Sequence, residues 1–267
     1  MQLTLLIPAH NEADRIRPML EDYARATTER DAELLVIVNG SHDATEQIVR
    51  TDFLPRFPHI RLIVIPDPVG KGGALMRGML ESRGTRIGYT DADGAVPAQA
   101  FLALADQMQG DEMIIGSRWL PDSHVPRKQP LPRLISSRFF NGLVRLLFRF
   151  PYTDTQCGAK ILSRTVAETV RPRLGATQWA FDVDLIFQVR RAGFPVRERP
   201  TTWQDVDGTK VRYFRTSLEM FLAVCRLRML HSPLRSLVAL WDRTLGVRLF
   251  EKRCARMRAI YPADAAS

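Results

Sequence analysis

The stretch Thr90-Asp91-Ala92-Asp93-Gly94 follows Arg86-Ile87-Gly88-Tyr89, which has strand character, and precedes Pro97, a residue suited to the first turn of a helix. Two carboxylates spaced i, i+2 at the exit of a strand raise each other's pKa unless a cation lies between them. A hard divalent ion such as Mg²⁺ or Mn²⁺ takes such oxygens and usually holds substrate phosphates as well. Taken alone, the residues leave two readings open: a metal–diphosphate site or a polar turn.

Outward from this stretch the chain alternates strand and helix signals. Strands are predicted over 3–7, 33–38, 60–65, 86–90 and 113–116, and helices over 12–30, from 43 to 50, 72–82 and 97–108. Such alternation with short connections predicts an α/β fold with a mostly parallel sheet flanked by helices. Ligands of these sheets bind at the carboxyl ends of the strands. Four polar clusters fall at those ends: Pro8-Ala9-His10-Asn11-Glu12, Asn39-Gly40-Ser41-His42-Asp43, Gly70-Lys71-Gly72-Gly73 and Asp91-Ala92-Asp93. Their shared address outweighs any one of them.

Each cluster has a chemical reading beside a plainer one. Uracil N3–H needs one acceptor, which Glu12, Asn39 or a backbone carbonyl could supply; Asn39-Gly40 is otherwise a turn. Asp43-Ala44-Thr45-Glu46 has the shape of a capping box. Glycines around Lys71 let the backbone approach a ligand, and a helix N-terminus favours anions. Lys71 and Arg77 could face a diphosphate, although G-K-G-G is also a common turn.

Further on, 119–132 is rich in Pro and charge and is expected to be a mobile loop. An amphipathic helix is expected over 134–150, punctuated by Arg138, Arg145 and Arg149, then a polar turn over 154–160. A helix over 181–191, a short strand over 195–199 and helical sequence from 211, broken near Ser232-Pro233, complete the chain. Asp182 and Asp184 lie in an apolar stretch. At i, i+2 they cannot share a helix face, so one could touch a ligand while the other caps the helix.

At 267 residues, 45% hydrophobic and 25% charged, the chain has the composition of a folded protein with one large domain and an extension. Cys157, Cys225 and Cys254 are far apart, make no metal-ligand spacing, and suit reduced thiols in the cytoplasm. Strand-like sequence follows Met1 directly, so no signal peptide is expected, and no charge-free apolar run approaches the ~18–20 residues of a membrane-spanning helix. Net charge is +9, and residues 209–258, with twelve Lys/Arg against three Asp/Glu, carry all of it. A basic tail can bind nucleic acid or an anionic membrane surface. Interleaving with Leu, Phe, Met, Val and Trp favours the membrane surface, with no nucleic acid as partner.

The clusters at the first four strand ends, with Gly116-Ser117-Arg118 and Asp154-Thr155-Gln156-Cys157-Gly158-Ala159-Lys160, resemble the family 2 glycosyltransferases of the GT-A (Rossmann-like) type. Within them, D-T-Q-C-G-x-K, Trp179-Ala180-Phe181-Asp182-Val183-Asp184-Leu185 and W-x-x-x-x-G-T-K at 203–210 resemble the polyprenyl-phosphate sugar transferases, the dolichyl-phosphate β-glucosyltransferases in particular. The resemblance spans about 3–210. It divides the chain into a catalytic domain over 1–212 and a basic amphipathic extension over 213–267 for membrane-surface docking or oligomerisation.

The resemblance implies an inverting transfer of a hexose, glucose, from a UDP-sugar to a polyprenyl (dolichyl or undecaprenyl) phosphate at the cytoplasmic face of the membrane. It implies a divalent metal, Mg²⁺ or Mn²⁺, held by Asp93 with Asp91. Pro8, Ala9, Asn11, Glu12, Asn39, Lys71, Asp91, Gln156 and Lys210 are the nucleotide-sugar candidates, with Arg212 beside Lys210 over the diphosphate. Asp91, Asp93, Asp182 and Arg118 are the catalytic candidates. Two acidic residues usually precede Gly-Ser in the family; here they are Val38 and Asn39. A phosphate monoester acceptor has a second pKa of ~6 and is already largely dianionic at neutral pH, so positioning cations replace a strong base. Arg118, Arg133 and Arg138 are the candidates for that task. GDP-mannose as donor, and a non-catalytic nucleotide-sugar binder, are the alternatives.

Overall fold

The structure, a computed structural model, describes residues 1–126, 131–175, 180–206, 213–233, 235, 236 and 238, excepting the side chains of 132, 133 and 213–219. In chain order the elements are β1 (Leu3–Ala9), α1 (Ile16–Thr27), β2 (Ala32–Asn39), α2 (Thr45–Ile48, continued by a wide turn over Val49–Phe53), β3 (Ile60–Ile65), α3 (Gly70–Glu81), β4 (Arg86–Tyr89) and α4 (Ala98–Asp106). Then come β5 (Met113–Ser117), α5 (Leu131–Phe148), β6 (Lys160–Ser163), α6 (Arg164–Val170, followed by a 3₁₀ turn), α7 (Phe181–Arg191), β7 (Val196–Pro200) and α8 (Tyr213–Leu230).

The seven strands form one sheet in the order β3-β2-β1-β4-β6-β5-β7. β1 pairs in parallel with β2 and β4, β2 with β3, and β5 with β7. The alternation of strand and helix signals is thereby realised as βαβ units. Along β1 and β2 every side chain is buried, because helices cover both faces. Alternate residues enter opposite layers: Leu5, Ile7, Leu34 and Val36 join one, Leu6, Leu35 and Ile37 the other. α1 buries Ile16, Met19, Leu20, Tyr23, Ala24 and Thr27, a stripe of helical period facing the first layer.

Several boundaries differ from expectation. α1 begins at Ile16 rather than 12: Asn11 has φ 55°, and the Glu12 carbonyl accepts the Arg15 and Ile16 amides in a turn that precedes the helix. The capping box expected at 43–46 is displaced: α2 starts at Thr45, and its N-cap is Ala44, which makes no side-chain cap bond. Asp43 Oδ1 instead accepts the Thr45 amide, and Glu46 pairs with Arg50. The loop after β5 is tied down over its described part, with His124 bridging Thr202 and Ser123 Oγ donating to the Ser117 carbonyl.

The largest difference is β6. The sequence pattern showed a polar turn at 154–160 and no strand after it. β6 lies in the middle of the sheet, antiparallel to both β4 and β5. Its short run Lys-Ile-Leu-Ser carries no period long enough to stand out, and burial between two strands decides it. Because β6 runs backwards, the residues entering it stand at the edge where β1, β2, β4 and β5 end.

α8 packs against α5 and places Val224 and Leu227 in the second core layer, while Arg228 Nε donates to the Leu147 carbonyl at 2.8 Å. Among the described residues no helix is long and apolar enough to cross a membrane. The remainder of the basic extension, residues 239–267, lies outside the described residues, as do Trp179, Lys210 and Arg212.

Candidate active site

Where β1 and β2 end, the backbone and side chains form a closed hydrogen-bond set. His10 Nδ1 meets the Asn39 carbonyl at 2.8 Å, the Asn11 amide donates to Ser41 Oγ, and the Glu12 amide donates to Thr45 Oγ1. Pro8 and Ala9 lie in the parallel register opposite Ile37 and Val38. Asn39 is 3% exposed; its Nδ2 donates to the Ala9 carbonyl at 3.2 Å. Among the described residues no donor reaches Asn39 Oδ1. The Glu12 carboxylate is gripped by Arg15 through two nitrogens at 2.8 and 2.7 Å. Of the side-chain acceptors considered for a base edge, Asn39 therefore offers a buried oxygen with an unmet demand, and Glu12 is ion-paired.

The acidic pair stands at the carboxyl end of β4. Asp91 has a 40%-exposed side chain, whereas burial, reinforced by the charge of Asp91, raises the pKa of Asp93. Asp93 Oδ1 accepts the Ala95 amide at 3.0 Å across Gly94, whose φ of 73° suits glycine. The backbone entering β6 passes directly against Asp91: a Cβ on Gly158 would collide with its carboxylate. A glycine is what lets the two approach.

Behind Asp91 is a buried network that joins four elements. Lys71, the second residue of α3, places Nζ 2.8 Å from Asp91 Oδ1 and 3.4 Å from Asp182 Oδ2. Asp182, in the first turn of α7, accepts from Lys160 Nζ at 2.6 Å and from the Tyr89 hydroxyl at 2.7 Å. Burial would raise the Asp182 pKa, but Lys160 and Lys71 outweigh it and hold the carboxyl down at about 2. Burial likewise works against the charge of Lys71, and Asp182 and Asp91 overcome it to keep its pKa above the ordinary lysine value. Asp182 is thus a fixed anion that anchors two lysines. Asp184 diverges as its spacing requires, accepting from the Gly175 amide and from Gln188 Nε2, both away from this network.

On the other side of β6 lies a second buried pair. Arg118, just after β5, meets Asp154 through Nε at 2.7 Å and through a terminal nitrogen at 3.0 Å. The pair is almost fully buried, and the guanidinium lies 5.4 and 5.3 Å from the ring centroids of Trp119 and Trp203. Burial opposes both charges, yet each partner holds the other ionised: Asp154 is pushed below, and Arg118 above, its ordinary pKa. Arg138, on α5, has its guanidinium carbon 4.7 Å from the Trp119 ring centroid. Gln156 donates its amide to Asp154 Oδ1, and its buried Nε2 has no partner among the described residues. Cys157 is buried, its thiol pushed up to about 11 by desolvation and by Asp154. The side chain of Arg133 lies outside what is described.

Three residues of these networks escaped the sequence reading: Tyr89, Lys160 and Asp154, the last two quoted in a motif but given no role. A lysine opening an apolar strand was the available signal, since a buried ammonium demands a partner.

Among the described residues no group of three or more His, Cys, Asp or Glu surrounds a metal position. Asp91 and Asp93 are a hard, oxygen-only pair whose crowding a divalent cation would relieve. That donor set suits Mg²⁺ or Mn²⁺ completing its shell with water and phosphate oxygens.

The profile of the family described as "Glycosyl transferase family 2" matches residues 4–171. A dolichyl-phosphate beta-glucosyltransferase of Dictyostelium discoideum is 33% identical over 254 residues, covering 90% of this chain and 76% of its own. Glycosyltransferase AglD of Haloferax volcanii is 34% identical over 236 residues, covering 85% of this chain and 37% of its own. Among solved structures, glucosyl-3-phosphoglycerate synthase from Mycobacterium tuberculosis, in complex with Mn²⁺, UDP and phosphoglyceric acid, superposes with a TM-score of 0.63 at 17% identity, covering 85% of this chain and 77% of its own. At that identity the likeness is one of fold, here the GT-A fold. The sheet of this chain carries an acidic pair and a lysine-bearing helix start at its carboxyl edge, and by the family profile and its relatives the chain is a glycosyltransferase that belongs to glycosyl transferase family 2.

Proposed function

We propose that the chain transfers glucose from UDP-glucose to a polyprenyl phosphate with inversion at the anomeric carbon. The observation that carries this reading is the run of groups along one sheet edge: a base-facing acceptor at Asn39, a cation at Lys71, an acidic pair at Asp91 and Asp93, and Arg138 across β6. The names of the relatives support the donor and acceptor.

Asn39 Oδ1 accepts uracil N3–H, and Pro8, Ala9, Asn11 and Glu12 line the nucleotide's side of the cleft. Lys71 faces the diphosphate, joined by Lys210, and Asp91 and Asp93 hold the metal. The metal supplies charge neutralisation to the leaving diphosphate. An oxygen of the acceptor phosphate attacks C1 of the sugar as the bond from C1 to the β-phosphate oxygen breaks, leaving UDP and the glucosyl phosphodiester. The dianionic acceptor carries no proton that a base must remove. Arg133 and Arg138 hold it. Arg118 positions the Asp154 turn and, through that turn, Gln156 against the sugar. Asp182 works through the lysines that it anchors. A donor panel with a short polyprenyl phosphate, read by mass of the lipid product, tests this. UDP-glucose is expected to give product, and titration calorimetry with Mg²⁺ is expected to show UDP bound more tightly than GDP. Guanine offers adjacent N1–H and N2 donors that suit a carboxylate better than one amide oxygen. Product from GDP-mannose with tighter GDP binding would make the chain a mannosyltransferase; UDP binding without any lipid product would make it a binder.

The acceptor's phosphate lies at the bilayer surface, so the domain docks there peripherally. α5 supports this. Ile135, Phe139 and Leu146 are 60, 74 and 77% exposed, Arg138, Arg145 and Arg149 are exposed among them, and the helix contains no acid. The apolar residues enter the headgroup boundary, and the arginines meet anionic lipid at about 1 kcal/mol per basic residue. Flotation should show binding to anionic vesicles, weakened by high salt and by Phe139→Asp with Leu146→Asp. A protein that ignores such vesicles at low salt would reassign this surface to self-association.

A further inference from the structure

Lys71 occupies an unusual position for a residue assigned to a phosphate. Its ammonium contacts Asp91, a candidate metal ligand, at 2.8 Å, and Asp182, the buried anchor, at 3.4 Å. Asp182 spends its other oxygen on Lys160 and Tyr89, so it cannot turn away from Lys71 without breaking two bonds of 2.6 and 2.7 Å. Gly158 confines the Asp91 carboxylate from the other side. Asp91 is therefore held facing a cation that the chain itself provides.

We propose that Lys71 is the resident counter-cation of Asp91, and that a divalent ion gains this carboxylate only when a nucleotide diphosphate draws the ammonium away. This rests on the metal–diphosphate reading of the site and adds to it an order of events. A divalent ion arriving alone meets an ammonium on the oxygen that it needs. A diphosphate gives that ammonium new oxygens in place of Asp91, while Asp182 Oδ2, 3.4 Å from it, remains its partner on the buried side. Metal and nucleotide then favour each other, and the coupling is reciprocal. Lys71 is in this sense a positioning residue for the metal, and the Lys160–Tyr89–Asp182 cluster holds it ready.

The test uses the full chain and Mn²⁺ alone, counting free ion by its paramagnetic resonance signal, without and with saturating UDP. Wild type is expected to hold Mn²⁺ weakly alone and at least about tenfold more tightly with UDP. Lys71→Met is expected to bind Mn²⁺ without nucleotide about tenfold more tightly than wild type, and to lose most of the gain from UDP. Lys71→Gln should behave in the same way, and melting curves of both report whether the fold is intact. Arg15→Gln removes a positive charge near Asp93 that does not contact Asp91, and should change Mn²⁺ affinity far less. Unchanged or weaker Mn²⁺ binding by both Lys71 variants, or an equal gain in Arg15→Gln, overturns the proposal while leaving the metal site standing. Wild type that binds no Mn²⁺ even with UDP would overturn the metal–diphosphate reading itself.

Discussion

Asp93→Ala is expected to lower transfer by about a thousandfold or more, since the metal's charge stabilisation of the leaving diphosphate contributes several kcal/mol to the transition state. The fold should survive it. Asp93 is a carboxylate whose pKa is raised by burial and by Asp91, so its charge costs stability at neutral pH in the absence of a counter-ion. Removing the charge relieves that cost. Among the described residues the bond lost is the Ala95 amide on Asp93 Oδ1, which Asp93→Asn would keep. Thermal unfolding of both variants should give midpoints near or above wild type, with transfer lost in each. A chelator should silence the wild type in the same way. Full transfer in chelator, or by Asp93→Ala, would remove the metal from the mechanism.

Arg118→Met is expected to act in the opposite manner, on stability before chemistry. It leaves Asp154 buried and unpaired, and breaking a buried ion pair from one side costs about 3–5 kcal/mol. Arg118→Met with Asp154→Leu should recover much of that loss, because an apolar pair of similar volume avoids the uncompensated charge. Urea unfolding of the single and double variants measures both effects. The acid limb follows with a definite sign. Asp154 has a folded pKa below its ordinary value, so its contribution is present above the unfolded value of about 4 and fades as pH falls through the folded one. In Arg118→Met burial acts on Asp154 without its counter-charge, so this acid-dependent loss should disappear and the gap to wild type should narrow as pH falls and the carboxyl is protonated. A variant as stable as wild type but without transfer would instead place Arg118 on the acceptor phosphate itself.

The contrast between Asp93 and Arg118 shows where the chain's information lies. The α/β fold was legible because central strands such as β1 and β2 had to bury both faces and helices such as α1 one, which writes apolar runs and helical stripes into contiguous sequence. Polar clusters interrupting those runs marked the carboxyl edge, and Asp91, Asp93, Lys71 and Asn39 do meet there. Pairing between elements left no such trace. Asp182 binds Tyr89, 93 positions away, and Lys71, 111 positions away, contacts that exist only once α3, β4 and α7 share one edge of the sheet. The reversed strand β6 brings Gly158 against Asp91 and Lys160 to Asp182, though nothing in four residues announces its direction. Local sequence determined which residues were charged, and roughly where every strand but β6 ended. Tertiary packing alone decided which charges neutralise one another, because a buried charge is tolerated only beside its partner, and the sheet order chooses that partner.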